Sequence, residues 1–210
     1  MMLAIVRHGQ AVGNTTHRFI GWQEVPLDDL GHQQAGTVAD RLARAGIERV
    51  ISSDILRARQ TAQPLASMLG VEIEIDERLR EIGNGQWTGL LPSEIAAGWP
   101  ELWQAYITGT DVARPDGERW QDVRARVVEA MTEHVESPVP TAVFTHGGPV
   151  ILTAEWALGL TLPGNIFRGV LAVPANTSVT TLEGGKLVTY GDAGHLGAVT
   201  HLEIPYEPVE

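Results

Sequence analysis

Two short runs carry residues able to do nucleophilic chemistry: Arg7-His8-Gly9, with Asn14 close behind, and Thr145-His146-Gly147-Gly148. A neutral imidazole can attack phosphorus, and a neighbouring guanidinium can carry phosphoryl charge. His8 therefore reads as a nucleophile and Arg7 as a phosphate ligand. A third run, Ser52-Ser53-Asp54 with Arg57 one turn on, supplies a second cation. Phosphoryl transfer needs this set: cations, backbone N–H groups at helix starts and a positioned nucleophile. The chain has no cysteine, so no thiolate can take the nucleophile's place.

All three runs stand where a strand would end. Leu3-Ala4-Ile5-Val6, Arg49-Val50-Ile51-Ser52 and Thr141-Ala142-Val143-Phe144-Thr145 are short, apolar and rich in β-branched residues, as buried strands are. In an open α/β sheet ligands bind beyond the carboxyl ends of strands, so parallel neighbours would bring His8 and His146 to one pocket. Gly9 is expected to let the backbone approach a ligand without a Cβ in the way.

Helices are expected over 30–45, capped by Asp28 or Asp29 and stopped by Gly46, and over 55–69, with a break or kink at Pro64. Two more are expected over 118–135, with Val123, Val127, Val128 and Met131 on one side, and over 149–158. Residues 71–75 alternate and predict an edge strand, 76–89 predict a loop, and 178–182 with 186–190 predict a hairpin. Residues 90–115, holding Pro92, Trp99, Pro100, Trp103, Tyr106 and Pro115, predict a small helical flap within a single domain over 1–210. The fold class expected is α/β, a three-layer α/β/α sandwich with a mostly parallel central sheet.

At 210 residues, with 43% hydrophobic and 20% charged content, the chain can bury a sizeable core. A net charge of −11 argues against a nucleic-acid or anionic-membrane partner, yet a few arginines can still form a local phosphate pocket. A small phosphorylated metabolite is the expected partner, and the sequence is compatible with a homodimer. Arg7 and His8 cut the first apolar run short of a signal peptide, and no run approaches a membrane span, so a cytoplasmic protein is expected. His17, His32, His134, His195 and His201 lack metal-ligand spacing, and no metal is expected.

Four ordered runs resemble the histidine phosphatase superfamily in its phosphoglycerate-mutase-like branch. They are Arg7-His8-Gly9 with Asn14, the stretch Ser53-Asp54-Ile55-Leu56-Arg57-Ala58-Arg59-Gln60-Thr61-Ala62, Leu79-Arg80-Glu81-Ile82 with Gly85 and Trp87, and Thr145-His146-Gly147-Gly148. Gly21-Trp22, Pro26-Leu27, Gly31 to Ala35, Asn176-Thr177-Ser178 and His195-Leu196 match as well, so the resemblance covers nearly the whole chain.

The resemblance implies a phosphohistidine at His8, with Arg7, Arg57, a protonated His146 and Asn14 around the phosphoryl oxygens. It implies Glu81 as proton donor to the leaving alkoxide and then as base for water. It also implies substrate contacts at Gln10, Gly21, Gly147 and Trp22, the last of which could equally be packing. No metal is implied, because two arginines and a protonated His146 neutralise the charge. There are departures from the family pattern. Gln10 and Ala11 stand where an acidic residue and a hydroxyl are common, so Ala11 removes a phosphate-loop hydroxyl. Glu24 replaces a more usual aspartate, and Arg119 a common serine.

Hydrolysis of a phosphomonoester, with no metal and no cofactor, is the reaction expected. The alternative is a phosphoglycerate mutase primed by 2,3-bisphosphoglycerate. Mutases of this branch carry a basic stretch after the catalytic glutamate, whereas 82–89 holds no basic residue and Arg114 is the first arginine to follow, which favours the phosphatase. A non-catalytic phosphate-binding protein would lack one of His8, Arg57, Glu81 or His146, and all four are present. The flap is expected to set the substrate.

Overall fold

Side chains alternate across a strand, so Leu3 and Ile5 of β1 (Met2–Arg7) join one apolar cluster while Ala4 and Val6 join another. Both faces are apolar, so the strand needs helices on each side. The structure, a computed structural model, describes residues 1–197, with the backbone alone for Thr15 and Arg168. β2 (Arg49–Ser52), β3 (Ile73–Ile75) and β4 (Thr141–Thr145) run parallel with β1, while the hairpin β5 (Val179–Glu183) and β6 (Lys186–Asp192) pairs antiparallel beside it. The sheet order is β3-β2-β4-β1-β5-β6.

Among the described residues six helices accompany it: α1 (Asp29–Arg44), α2 (Leu56–Leu69), α3 (Pro92–Gly98), α4 (Pro100–Ile107), α5 (Trp120–His134) and α6 (Gly147–Ala157). α1 and α2 cover the Ala4–Val6 face with Val38, Leu42, Ala62 and Leu65. α5 and α6 cover the Leu3–Ile5 face with Val123, Val127, Val150 and Ile151. The expected three-layer α/β/α arrangement results, with a mixed sheet.

Several boundaries differ from expectation for local reasons. Asp28 caps α1 by accepting from the Gly31 N–H at 2.8 Å, so the helix begins at Asp29. Pro64 neither ends nor breaks α2, because a buried face of Ala58, Thr61, Ala62, Leu65 and Ala66 holds the helix across the lost hydrogen bond. β3 starts only at Ile73, since the Val71 N–H turns back to the Ala66 carbonyl behind the left-handed Gly70. The expected loop 76–89 contains two 3-10 turns, Glu77–Leu79 and Gly85–Trp87. In α5 Ala130 is buried while Val128 is only half-buried.

α6 starts at Gly147, directly off β4, rather than at Pro149. From residues 90–115, Trp103 and Tyr106 pack with Ile95, Val112 and, from outside that range, Trp87 as a third apolar cluster, with Trp99 and Phe19 at its margin. Among the described residues no helix is long and apolar enough to cross a membrane.

Candidate active site

β1 and β4 are direct neighbours, with Arg7 opposite Thr145, so their exits leave side by side. The His8 N–H donates to the Thr145 carbonyl at 2.8 Å, and the His8 and His146 rings meet edge to face with centroids 5.2 Å apart. β2 flanks β4 on the other side, which brings Ser53 Oγ within 3.0 Å of His146 Nε2.

The geometry defines the state of His8. Nδ1 lies 2.7 Å from the Gly9 carbonyl and Nε2 lies 3.2 Å from Arg57 Nε. A carbonyl only accepts and a guanidinium only donates, so the hydrogen sits on Nδ1 and the lone pair on Nε2. The ring is 5% exposed. Burial, then the charges of Arg57 and Arg7, hold it well below the ordinary imidazole range. A neutral ring with its lone pair directed at Nε2 is what a nucleophile needs.

Arg57 is itself buried, and its terminal nitrogens donate to the Gln23 carbonyl at 3.1 Å and the Gly21 carbonyl at 2.9 Å. Burial pulls this guanidinium down to about 10, with Glu81 opposing, so it keeps its charge at neutral pH. Arg7 Nη1 donates to the Pro174 carbonyl.

Glu81 enters from the loop after β3. Its Oε2 accepts from the Gly148 N–H at 3.2 Å, in the first turn of α6, and its Oε1 from the Ile82 N–H at 2.9 Å. Gly148 must be glycine here: a Cβ would collide with Glu81 Oε1 and come within 2.7 Å of the Trp120 ring. Arg7, His8, Asn14, Arg57, Glu81 and Gly147 together line a cavity of about 510 Å³. That constellation has an imidazole lone pair, two cations and a carboxyl around one space, the kinds of group that phosphoryl chemistry uses.

The histidine phosphatase superfamily (branch 1) matches this sequence over residues 3–188. The chain belongs to the histidine phosphatase superfamily. Probable phosphoglycerate mutase GpmB of Salmonella arizonae is 30% identical over 222 residues, covering 94% of this chain and 96% of that protein. Among solved structures, Bacillus stearothermophilus YhfR superposes with a TM-score of 0.83 at 29% identity, covering 93% of this chain and 98% of that one. Mycobacterial glucosyl-3-phosphoglycerate phosphatase complexed with VO3 superposes with a TM-score of 0.79 at 28% identity, covering 91% and 99%. The fold is phosphoglycerate-mutase-like, and superfamily membership places the chain among enzymes acting on phosphate groups.

Set against the superfamily expectation, three residues sit differently. His146 has no exposed surface and is not in the cavity wall; it stands behind His8, with Nδ1 buried and unpartnered. Burial first, then the charges of Arg57, Arg126 and Arg7, hold it well below the ordinary range, so the expected protonated His146 is not what this arrangement favours. Gln10 is likewise absent from the wall, its amide donating to Asp28 Oδ2 at 2.8 Å beside the α1 cap. Trp22 packs over the loop: its Nε1 donates to the Glu81 carbonyl at 2.6 Å and Arg80 covers its ring at 5.0 Å.

Asn14, Gly21 and Gly147 do line the cavity, Asn14 with its Oδ1 held by the Ala11 N–H at 2.8 Å. The missing Cβ of Gly9 makes room for α1 rather than for a ligand, since a side chain there would come 2.7 Å from the Gly31 carbonyl.

Other residues at the site carry weaker signals in the sequence. Thr61 Oγ1 accepts from the Gly9 N–H at 2.9 Å and donates to the Arg57 carbonyl at 2.7 Å, tying the loop after β1 to α2. Asn176 Nδ2 donates to the His8 carbonyl at 2.9 Å; its match to the superfamily pattern was the available signal. Arg114 is buried against the rings of Trp87, Tyr106 and Trp120 at 5.7, 5.5 and 5.5 Å, and it lines the cavity. Nothing in its sequence surroundings pointed there. His201 lies outside the described residues. Among the described residues, no three of His, Cys, Asp and Glu gather as a metal-holding group.

Proposed function

We propose that the chain is a metal-independent phosphomonoesterase that acts on a small phosphorylated metabolite through a phosphohistidine at His8. The observation that carries this reading is the defined tautomer, with the Nε2 lone pair in a cavity that Arg7, Arg57 and Glu81 also line. The substrate phosphate docks against the two guanidiniums, with the Asn14 amide and the Gly147 N–H as further donors. Nε2 exchanges its contact with Arg57 for phosphorus. As the N–P bond forms, the ester P–O bond breaks and Glu81 passes its proton to the leaving oxygen.

Glu81, now a carboxylate, takes a proton from water whose oxygen attacks phosphorus; the N–P electron pair returns to Nε2 and inorganic phosphate leaves. A dianion beside the buried pair opposes the charges of Arg7 and Arg57. His146, with Nδ1 unpartnered, is then the imidazole able to gain a proton, because Nε2 of His8 is committed to phosphorus. Water reaches the cavity past the exposed Asn14 and His17, which suits hydrolysis better than a phosphohistidine kept from solvent. Turnover of p-nitrophenyl phosphate should survive a chelator and vanish in His8→Ala. Chelator-sensitive turnover would overturn the metal-free mechanism.

Arg114 favours a second reading. A guanidinium in the wall offers a place for a second anionic group, which answers the argument from the missing basic stretch and suits a primed phosphoglycerate mutase. Interconversion of phosphoglycerates, assayed with and without 2,3-bisphosphoglycerate, separates the two. Hydrolysis outrunning primer-dependent isomerisation is the phosphatase outcome; efficient primed isomerisation is the mutase outcome.

A further inference from the structure

Glu81 stands between two 3-10 turns, in a segment whose backbone makes no ladder of its own. Its position must therefore be set from outside. Arg126, on α5, does this with all five of its N–H groups. Nη1 donates to the carbonyls of Arg78 at 2.8 Å and Arg80 at 2.6 Å, and Nη2 to that of Glu81 at 2.9 Å. The other two form a fork on Glu118, Nε to Oε1 and Nη2 to Oε2, each at 2.9 Å.

Glu118 extends the grip beyond Glu81. Its Oε2 also accepts from the Gly83 N–H at 2.7 Å, and its own N–H donates to the Gly83 carbonyl at 2.8 Å. The chain is thus held at 78, 80, 81 and 83, on both sides of the carboxyl. Both side chains are largely buried, 17% and 20% exposed, and neither lines the cavity.

We propose that the Arg126–Glu118 pair is a positioning device for Glu81, fixing its carboxyl where it can protonate the leaving oxygen. The inference rests on the reading of Glu81 as the acid. Proton transfer requires hydrogen-bond reach, and a displacement of about an ångström in a reacting group is enough to cost roughly 10²-fold in rate. Lysine in place of Arg126 would keep the charge but could not span three carbonyls and a carboxylate at once.

The discriminating readout is leaving-group dependence, because p-nitrophenolate departs with little help whereas an alkoxide needs the proton. The test compares kcat/KM for p-nitrophenyl phosphate and for a simple alkyl phosphate in wild type, Glu81→Gln, Arg126→Met and Arg126→Lys. Glu81→Gln and Arg126→Met should each lose about 10²-fold or more on the alkyl ester and under about 10-fold on the aryl ester. Arg126→Lys should fall between, and inhibition by inorganic phosphate should stay within about threefold, since Arg7 and Arg57 are untouched. Should Arg126→Met fail to fold, Arg126→Lys carries the same ratio.

Equal losses on both esters in the Arg126 variants, with Glu81→Gln still discriminating, would overturn the positioning role and leave the acid in place. No discrimination in Glu81→Gln itself would overturn the acid assignment, and the positioning role with it.

Discussion

The exits of β1 and β4 are nearly the same in composition, Arg7-His8-Gly9 against Thr145-His146-Gly147, and they lie side by side in the sheet. Their histidines nevertheless occupy opposite positions. After β1 the chain runs through an irregular loop, pinned by Thr61 and Asn176, and His8 reaches the cavity. After β4 it enters α6 at once, with His146 as the capping residue, and the ring is sealed behind His8. The early helix start also presents the Gly148 N–H to Glu81. The structure of the next segment, and not the residue at the strand's end, decides which histidine faces the cavity.

The largest test of that contrast is substitution at each histidine. His8→Ala should lower phosphatase turnover by roughly 10⁴-fold or more, because the covalent route is lost. His146→Ala should cost roughly 10²- to 10³-fold, as loss of a group that stabilises charge without forming the bond. Losses of equal size would break the distinction.

A smaller effect is expected at the start of α6. Gly148→Ala pushes a methyl into Glu81 Oε1 and the Trp120 ring, so it should destabilise the fold by about 1–3 kcal/mol in denaturant melts. It should also depress alkyl phosphate turnover about 10- to 100-fold through the displaced carboxyl. Wild-type kinetics in a folded Gly148→Ala protein would mean that the α6 terminus does not position Glu81.

The two exits are alike in one respect, and this gives the smallest prediction. Both imidazoles are held neutral by burial and by the guanidiniums, so their folded pKa values lie below the unfolded value of about 6.5. As pH falls below about 6.5 the unfolded chain takes up protons that the native chain refuses. Stability is therefore present above that pH and declines below it, by up to about 1.4 kcal/mol per pH unit for each histidine. Urea unfolding between about pH 7 and pH 5 should show the slope, and His146→Gln should remove about half of this pair's share. An unchanged slope in His146→Gln would show that His146 is protonated in the native protein.

Much of this framework was legible in the sequence, because apolar runs that end in Arg-His-Gly, Ser-Ser-Asp and Thr-His-Gly can be read one element at a time. His8, Arg57 and His146 converge for that reason. The features that were not legible depend on where a neighbour's backbone falls. Gly9 faces α1 because Gly31 comes close to it, and Gln10 is turned aside by the Asp28 cap. His146 is hidden because α6 starts two residues earlier than Pro149 suggested. Arg114 is distant from Glu81 in the chain yet shares its cavity, because its guanidinium stacks over the rings of Trp87, Tyr106 and Trp120. At Pro64 the helix does not break, for the opposite reason: a local rule lost to a buried helix face.

Covalent bonding at His8 alone is the centre of the proposed mechanism, and trapping the intermediate tests it most directly. Enzyme mixed with p-nitrophenyl phosphate and quenched under alkaline conditions within milliseconds should carry one phosphate on the peptide containing His8, bonded at Nε2. The His146→Ala protein should carry the same modification, formed more slowly. Phosphate on the peptide containing His146, or a burst of p-nitrophenolate with no phosphate on protein, would contradict that mechanism.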